Sequence, residues 1–190
     1  MSRLLKLAED CAHRRSIEMA TYPAGENHIV THGRLHDIRL KDYYKFTGER
    51  VDSGTLHDME IILLLKTPRL IIEDIEVLIN TVPREDCLLI EKSLNKIIGM
   101  SVTGGFSAKV REIAGGTLGC THLVHLMTTM APAIRQGYWA YVFQKDVSKT
   151  QNDSRSESLS SGLKDSCFAW REEGEAYQKL AKFIKERTSE

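Results

Sequence analysis

The sequence predicts an α+β fold: an antiparallel β-meander followed by helices packed on one of its faces. Three observations carry this. Between residues 28 and 80 apolar and polar residues alternate, the period of a half-buried strand, and past Pro83 the apolar period lengthens to that of a helix. Two alternating runs are also joined by the tight turn Thr67-Pro-Arg69, which forces them antiparallel. Strands grouped first and helices after is the order of an α+β domain rather than of a parallel α/β sheet.

The elements follow in order. Residues 1–27 read as a ragged N-terminal segment, with Leu4, Leu5 and Leu7, then mixed polar chain, then Ile17 and Met19; Tyr22-Pro-Ala-Gly-Glu-Asn27 is turn chemistry. His28 to His32 and Arg34 to Leu40 alternate as strands, and the polar stretch Thr47 to Thr55 reads as a loop. Leu56 to Lys66 places Met59, Ile61, Leu63 and Leu65 on one face, and Leu70 to Ile79 does the same with Ile71, Ile75, Val77 and Ile79, so the pair forms a hairpin. Helices are then predicted over 85–98, with Cys87, Ile90, Leu94 and Ile97 inward and Gly99 as terminator, over 107–114, and over 120–136. Pro132 should end or kink the last of these. Residues 1–144 thus read as a single domain. Residues 145–166 carry seven serines and almost no large apolar residue, which predicts a mobile loop, and 167–190 form an amphipathic segment docking back on the domain.

A chain of 190 residues suffices for one domain with a real core. Lys+Arg and Asp+Glu balance at 26 each, which removes the electrostatic case for nucleic acid or an anionic membrane and leaves a small molecule, a metal or another protein as partner. The N-terminus lacks an apolar signal region, and the longest apolar run, Ile61 to Leu65, is too short to span a bilayer; a cytoplasmic location is expected. Cys11, Cys87, Cys120 and Cys167 are scattered without a CxxC pair, which in a reducing compartment reads as free thiols or ligands.

The chemically dense stretch is Ile113-Ala-Gly-Gly-Thr-Leu-Gly-Cys-Thr-His-Leu-Val-His-Leu126. Gly115, Gly116 and Gly119 give the chain freedom to turn and to approach other backbone closely, and could hold an anion through backbone N–H groups. Cys120 then falls in the first helical turn, where the dipole favours a thiolate, and His122 follows as ligand or base. His125 reads as a core-edge histidine. His57-Asp58 adds an imidazole and a carboxylate at a strand entrance, where only one of the two can face a given site. His28, His32 and His36 share one strand face, a weak metal pattern.

Leu56-His57-Asp58-Met59, Pro83 with Cys87, Leu94 and Gly99, the Gly115-Gly116-x-x-Gly119-Cys120-Thr121-His122-Leu123 block, and Asp165-Ser-Cys-x-Ala169 together resemble a bacterial family known only as a domain of unknown function. The resemblance implies a shared fold and a shared site, without an activity. At the level of fold the chain is also similar to iron–sulfur scaffold proteins of the NifU and SufE type, in which an aspartate opens a strand and a cysteine opens a late helix, the places held here by Asp58 and Cys120.

Two functions follow. In the first, Cys120, His122, Cys87, Asp58 and His57 supply the ligands of a zinc or iron ion or of a labile iron–sulfur cluster. In the second, Cys120 is a nucleophile or acid/base thiol, His122 its proton partner, and the Gly115 to Gly119 backbone a cradle for a small anionic substrate. The sequence contains no P-loop, GxSxG or HExxH motif that would name a reaction.

Overall fold

The computed structural model describes residues 2–144 and 162–188. Most of the serine-rich stretch read as a mobile loop, residues 145–161, lies outside the described residues. The frame is a four-stranded antiparallel sheet in the order β1-β2-β5-β6, built from β1 (His13–Pro23), β2 (His28–Arg39), β5 (Gly54–Lys66) and β6 (Ile71–Thr81). A small hairpin, β3 (Tyr43–Tyr44) and β4 (Arg50–Val51), is inserted between β2 and β5. The α+β expectation holds: strands come first, and the helices α1 (Phe106–Ala114), α2 (Thr121–Val142) and α3 (Glu175–Thr188) follow.

Three elements differ from their sequence reading. The ragged N-terminal segment contains an eleven-residue strand, β1, whose alternation is masked because its inward positions run from Arg15 through Ile17 and Met19 to Thr21, with polar ends. Residues 85–97 form a 3-10 helix rather than an α-helix, closed by bonds such as Cys87 N–H to Arg84 O at 3.1 Å, while Leu94 and Ile97 still anchor it by full burial. α2 runs through Pro132 to Val142, because the buried stripe Met127, Met130, Ala131, Ile134, Tyr138 and Val142 continues past the proline. Packing outweighs the lost backbone bond.

The sheet is read most easily as cross-strand rungs. On the face toward the helices, Ile17, Leu35 and Met59 lie side by side, then Met19, Gly33 and Ile61, then Thr21, Thr31 and Leu63. Leu35, Met59, Ile61 and Leu63 are fully buried under α2, with Leu123, Leu126, Met127 and Met130. Each such side chain contributes roughly 2 kcal/mol by leaving water.

α2 sits very close to the sheet at two points, both made by glycine. A Cβ on Gly33 of β2 would come within 2.6 Å of Met130 Sδ, and one on Gly137 of α2 within 2.2 Å of Thr21 Oγ1. No helix among the described residues is long and apolar enough to cross a membrane.

Candidate metal centre

At one end of the sheet the apolar rungs give way to a polar one. Arg15 pairs with Asp37 across β1 and β2, and Asp37 pairs with His57 across β2 and β5, so guanidinium, carboxylate and imidazole stand in a row on the face turned toward the helices. The parity of the strands dictates this: Asp37 follows Leu35 on β2, and His57 precedes Met59 on β5. α2 begins above this row, because the chain leaves α1 through the Gly115 to Gly119 turn and enters the helix at Cys120, its N-cap. His122, in the first turn, therefore comes down over His57; their ring centroids are 3.7 Å apart with a 31° tilt.

Asp37 is the hub. Its side chain is 1% exposed. Arg15 donates Nε–H to Oδ1 and Nη2–H to Oδ2, both at 2.6 Å, and His57 Nδ1 lies 3.1 Å from Oδ2. His122 Nε2 approaches Oδ2 to 3.9 Å, and the half-exposed His13 brings Nε2 to 3.5 Å from Oδ1. Asp37, His57 and His122 each place one donor atom within 4.8 Å of the other two, a group of the size that encloses a single ion. Tetrahedral zinc with bonds near 2.1 Å separates its ligand atoms by roughly 3.4 Å, which the 3.1 and 3.9 Å spacings bracket.

The electrostatics suit ligands. Burial alone would raise the Asp37 carboxyl, but the hydrogen bonds and charge of Arg15, helped by His57, outweigh it and bring the group down to about 2. Asp37 is thus ionised at neutral pH. Burial pushes His57 below the ordinary histidine value, against the opposing pull of Asp37. Burial also lowers His122, reinforced by the neighbouring His57 and Arg15. Both rings are held toward the neutral, coordinating form.

The residues predicted from sequence fall in different places. His57 and His122 meet at this centre. Cys120 joins its edge, with Sγ 3.7 Å from His122 Nδ1; as N-cap it has extended backbone (φ −109°, ψ 127°), so it converges with a residue two positions on. Asp58 points to the other side of the sheet, where Arg34 holds it through two hydrogen bonds of 2.8 and 2.7 Å. Cys87 lies on the 3-10 helix, half-buried, and is not part of the donor group among the described residues. Gly115 and Gly119 are positions of close backbone approach: a Cβ would meet Arg111 O at 2.2 Å and Ala114 O at 2.6 Å. Gly115 and Gly116 (φ +59°) also line an open cavity of about 420 Å³ with Arg111, Thr121 and His125, none of them a member of the donor group. His28, His32 and His36 share the outer face, bonded separately to Glu73, Glu60 and Thr55.

Asp37 and Arg15 were not singled out by the sequence reading. A signal existed: Asp37 has the same strand parity as Ile29 and Leu35, which places a carboxylate on the buried face, where it needs a partner.

No curated protein and no solved structure matches the chain. Residues 13–136, from the start of β1 to a point within α2, match a family model described as "Protein of unknown function (DUF2889)", which takes in β1 and the three donor positions on β2, β5 and α2 and ends before Asp165–Ala169. The chain belongs to that family.

Proposed function

We propose that Asp37, His57 and His122 bind a transition-metal ion, zinc or iron(II), through the His122 Nε2 edge that faces Asp37, with Cys120 against the opposite, Nδ1 edge of that ring. The observation that carries this is the meeting of three buried or half-buried donors from three separate elements within 4.8 Å, with both imidazoles biased toward neutrality. Two histidines and a carboxylate suit either ion. A single ion fits these donors better than an iron–sulfur cluster, which takes thiolates, since Cys120 is the cysteine that touches the group among the described residues. Arg15 leaves an Oδ2 lone pair of Asp37 open while fixing the carboxylate plane, the role of an outer partner that orients a ligand.

The test is metal uptake by protein purified without chelator, followed by titration of the stripped protein with Zn²⁺ and Co²⁺. The wild type should bind one equivalent. His57→Ala and His122→Ala should each weaken binding by about 10- to 100-fold or more, while Asp58→Asn and Cys87→Ser leave it unchanged. A sulfur-to-cobalt charge-transfer band that vanishes in Cys120→Ser would place the thiolate on the metal. Wild-type protein that takes up neither ion ends this reading.

One observation favours a second reading, that of a thiol enzyme. Cys120 Sγ, His122 and Asp37 Oδ2 form a chain with links of 3.7 and 3.9 Å, the order of nucleophile, base and orienting carboxylate. In that case Cys120 in metal-free protein should alkylate rapidly at neutral pH and slow markedly in His122→Ala. A thiol that stays inert until unfolding removes it.

A further inference from the structure

β1 and β2 extend two positions beyond the polar rung, and there Arg39 stands on the same face as Asp37, paired across the ladder with His13 of β1 and, past a bulge, with Gly54 of β5. Arg39 is the last residue of β2. Its guanidinium lies over the Tyr43 ring, 3.6 Å from the centroid, so the first residue of the inserted hairpin serves as its platform. Of the other arginines of the sheet, Arg15 is committed to both oxygens of Asp37 and Arg34 to both oxygens of Asp58, while Arg14 of β1 is exposed and has the opposite strand parity, away from the site. Among the described residues Arg39 has no carboxylate partner, although it is half-buried. Its charge nevertheless reaches His57, whose proton affinity it lowers together with Arg15.

A guanidinium held flat by stacking keeps its N–H edge free, and that edge matches the two oxygens of a carboxylate or phosphate. The geometry points to Arg39 as the anion anchor of the site, so that the small molecule meeting Asp37, His57 and His122 carries a carboxylate or phosphate group. The inference rests on the metal reading for what the rest of that ligand touches. His13 beside Asp37 adds a second donor on the same side of the rung.

The experiment uses the full chain loaded with Co²⁺, titrated with malonate and, separately, with inorganic phosphate, while the visible cobalt spectrum is recorded. Wild-type protein should show a saturable spectral change with at least one of the two, and which one responds separates carboxylate from phosphate. Arg39→Gln should weaken that anion by about tenfold or more, the loss of one charge-assisted fork, and should not lower cobalt affinity, because removing a nearby positive charge cannot repel a cation. Arg39→Lys, which keeps the charge and loses the fork, should fall between. No spectral change in cobalt-loaded wild type, or equal anion affinity in the folded Arg39→Gln protein, overturns the inference while leaving the metal reading intact. Failure of the metal reading is seen separately, as absent cobalt uptake. Calorimetric titration of the metal-free protein with the same anions then decides: Arg39-dependent binding upholds the anchor, and no binding ends it.

Discussion

The two faces of the sheet carry nearly the same side chains and put them to different ends. On the outer face Arg34 grips Asp58 through two hydrogen bonds, and His32 Nε2 meets Glu60 at 2.7 Å. On the inner face Arg15 grips Asp37 in the same two-pronged way, and His57 meets the same carboxylate. The difference is water. Asp58 keeps 13% of its side-chain surface and Arg34 44%, whereas Asp37 keeps 1%. Outside, the pairs are screened and fix little beyond local order. Inside, one carboxylate organises two histidines and two further basic groups, and the buried His57 and half-buried His122 move toward neutrality.

The largest test of this contrast is to remove the guanidinium on each face. Arg15→Ala leaves the buried Asp37 carboxylate without its main partner and should cost roughly 1–3 kcal/mol in urea denaturation, less than for a fully buried pair because Arg15 itself is 34% exposed. Arg34→Ala, on the solvent side, should change the midpoint far less. Equal losses would erase the distinction between the faces.

Acid sharpens it next. The Asp37 carboxyl sits at about 2 in the folded chain against an ordinary 3.8, so its contribution is fully present above pH 4 and is lost as pH falls through 2. That contribution is about 2 kcal/mol. His57 and His122 act in the same sense at higher pH: with folded values lowered, they favour the native state when neutral, and stability falls as pH drops below the ordinary histidine value of 6.5. Stability curves from pH 7 to 2 should therefore decline in two stages, and Asp37→Asn should flatten the lower one. A metal bound to these ligands would make the upper stage steeper, since protons compete for the same nitrogens.

The smallest expected effect is on the outer face. His32→Gln keeps a hydrogen-bonding group opposite Glu60 and should leave both thermal stability and cobalt uptake near wild type.

Much of this was legible in the sequence. The run Met59, Ile61, Leu63, Leu65 announces its strand, and stepping that parity back by two selects His57, not Asp58, for the buried face. The glycine-to-Cys120 junction marks the start of α2, and His122 with it. What stayed hidden was pairing. Nothing local in Arg15 or Asp37 says that they meet across 22 positions of chain, because register is set by the whole sheet and not by either strand. β1 is hidden in a related way: its inward side starts with His13 and Arg15, which face Asp37 and blur the alternation that would announce a strand. The 3-10 geometry of residues 85–97 was hidden because apolar spacing of three and four serves either helix.

The two glycine contacts under α2 turn that helix into a lever. Thr21 bears on Gly137 at one end, Met130 rests on Gly33 partway along, and His122 is carried at the free end, fifteen residues or roughly 22 Å from Gly137. Met130 is a pliable fulcrum, since its thioether can shift, whereas the Thr21 side chain is short and stiff. A methyl group added at Gly137 would push that end of the helix off the sheet, tip the His122 end toward the sheet about that fulcrum and displace the imidazole relative to Asp37 and His57, although no ligand has been altered. Gly137→Ala should thus lower cobalt affinity more than Gly33→Ala does. The same mechanics would run in reverse: an ion drawing His122 toward the sheet should lift the distant end of the helix and so carry occupancy at one edge of the protein to the other.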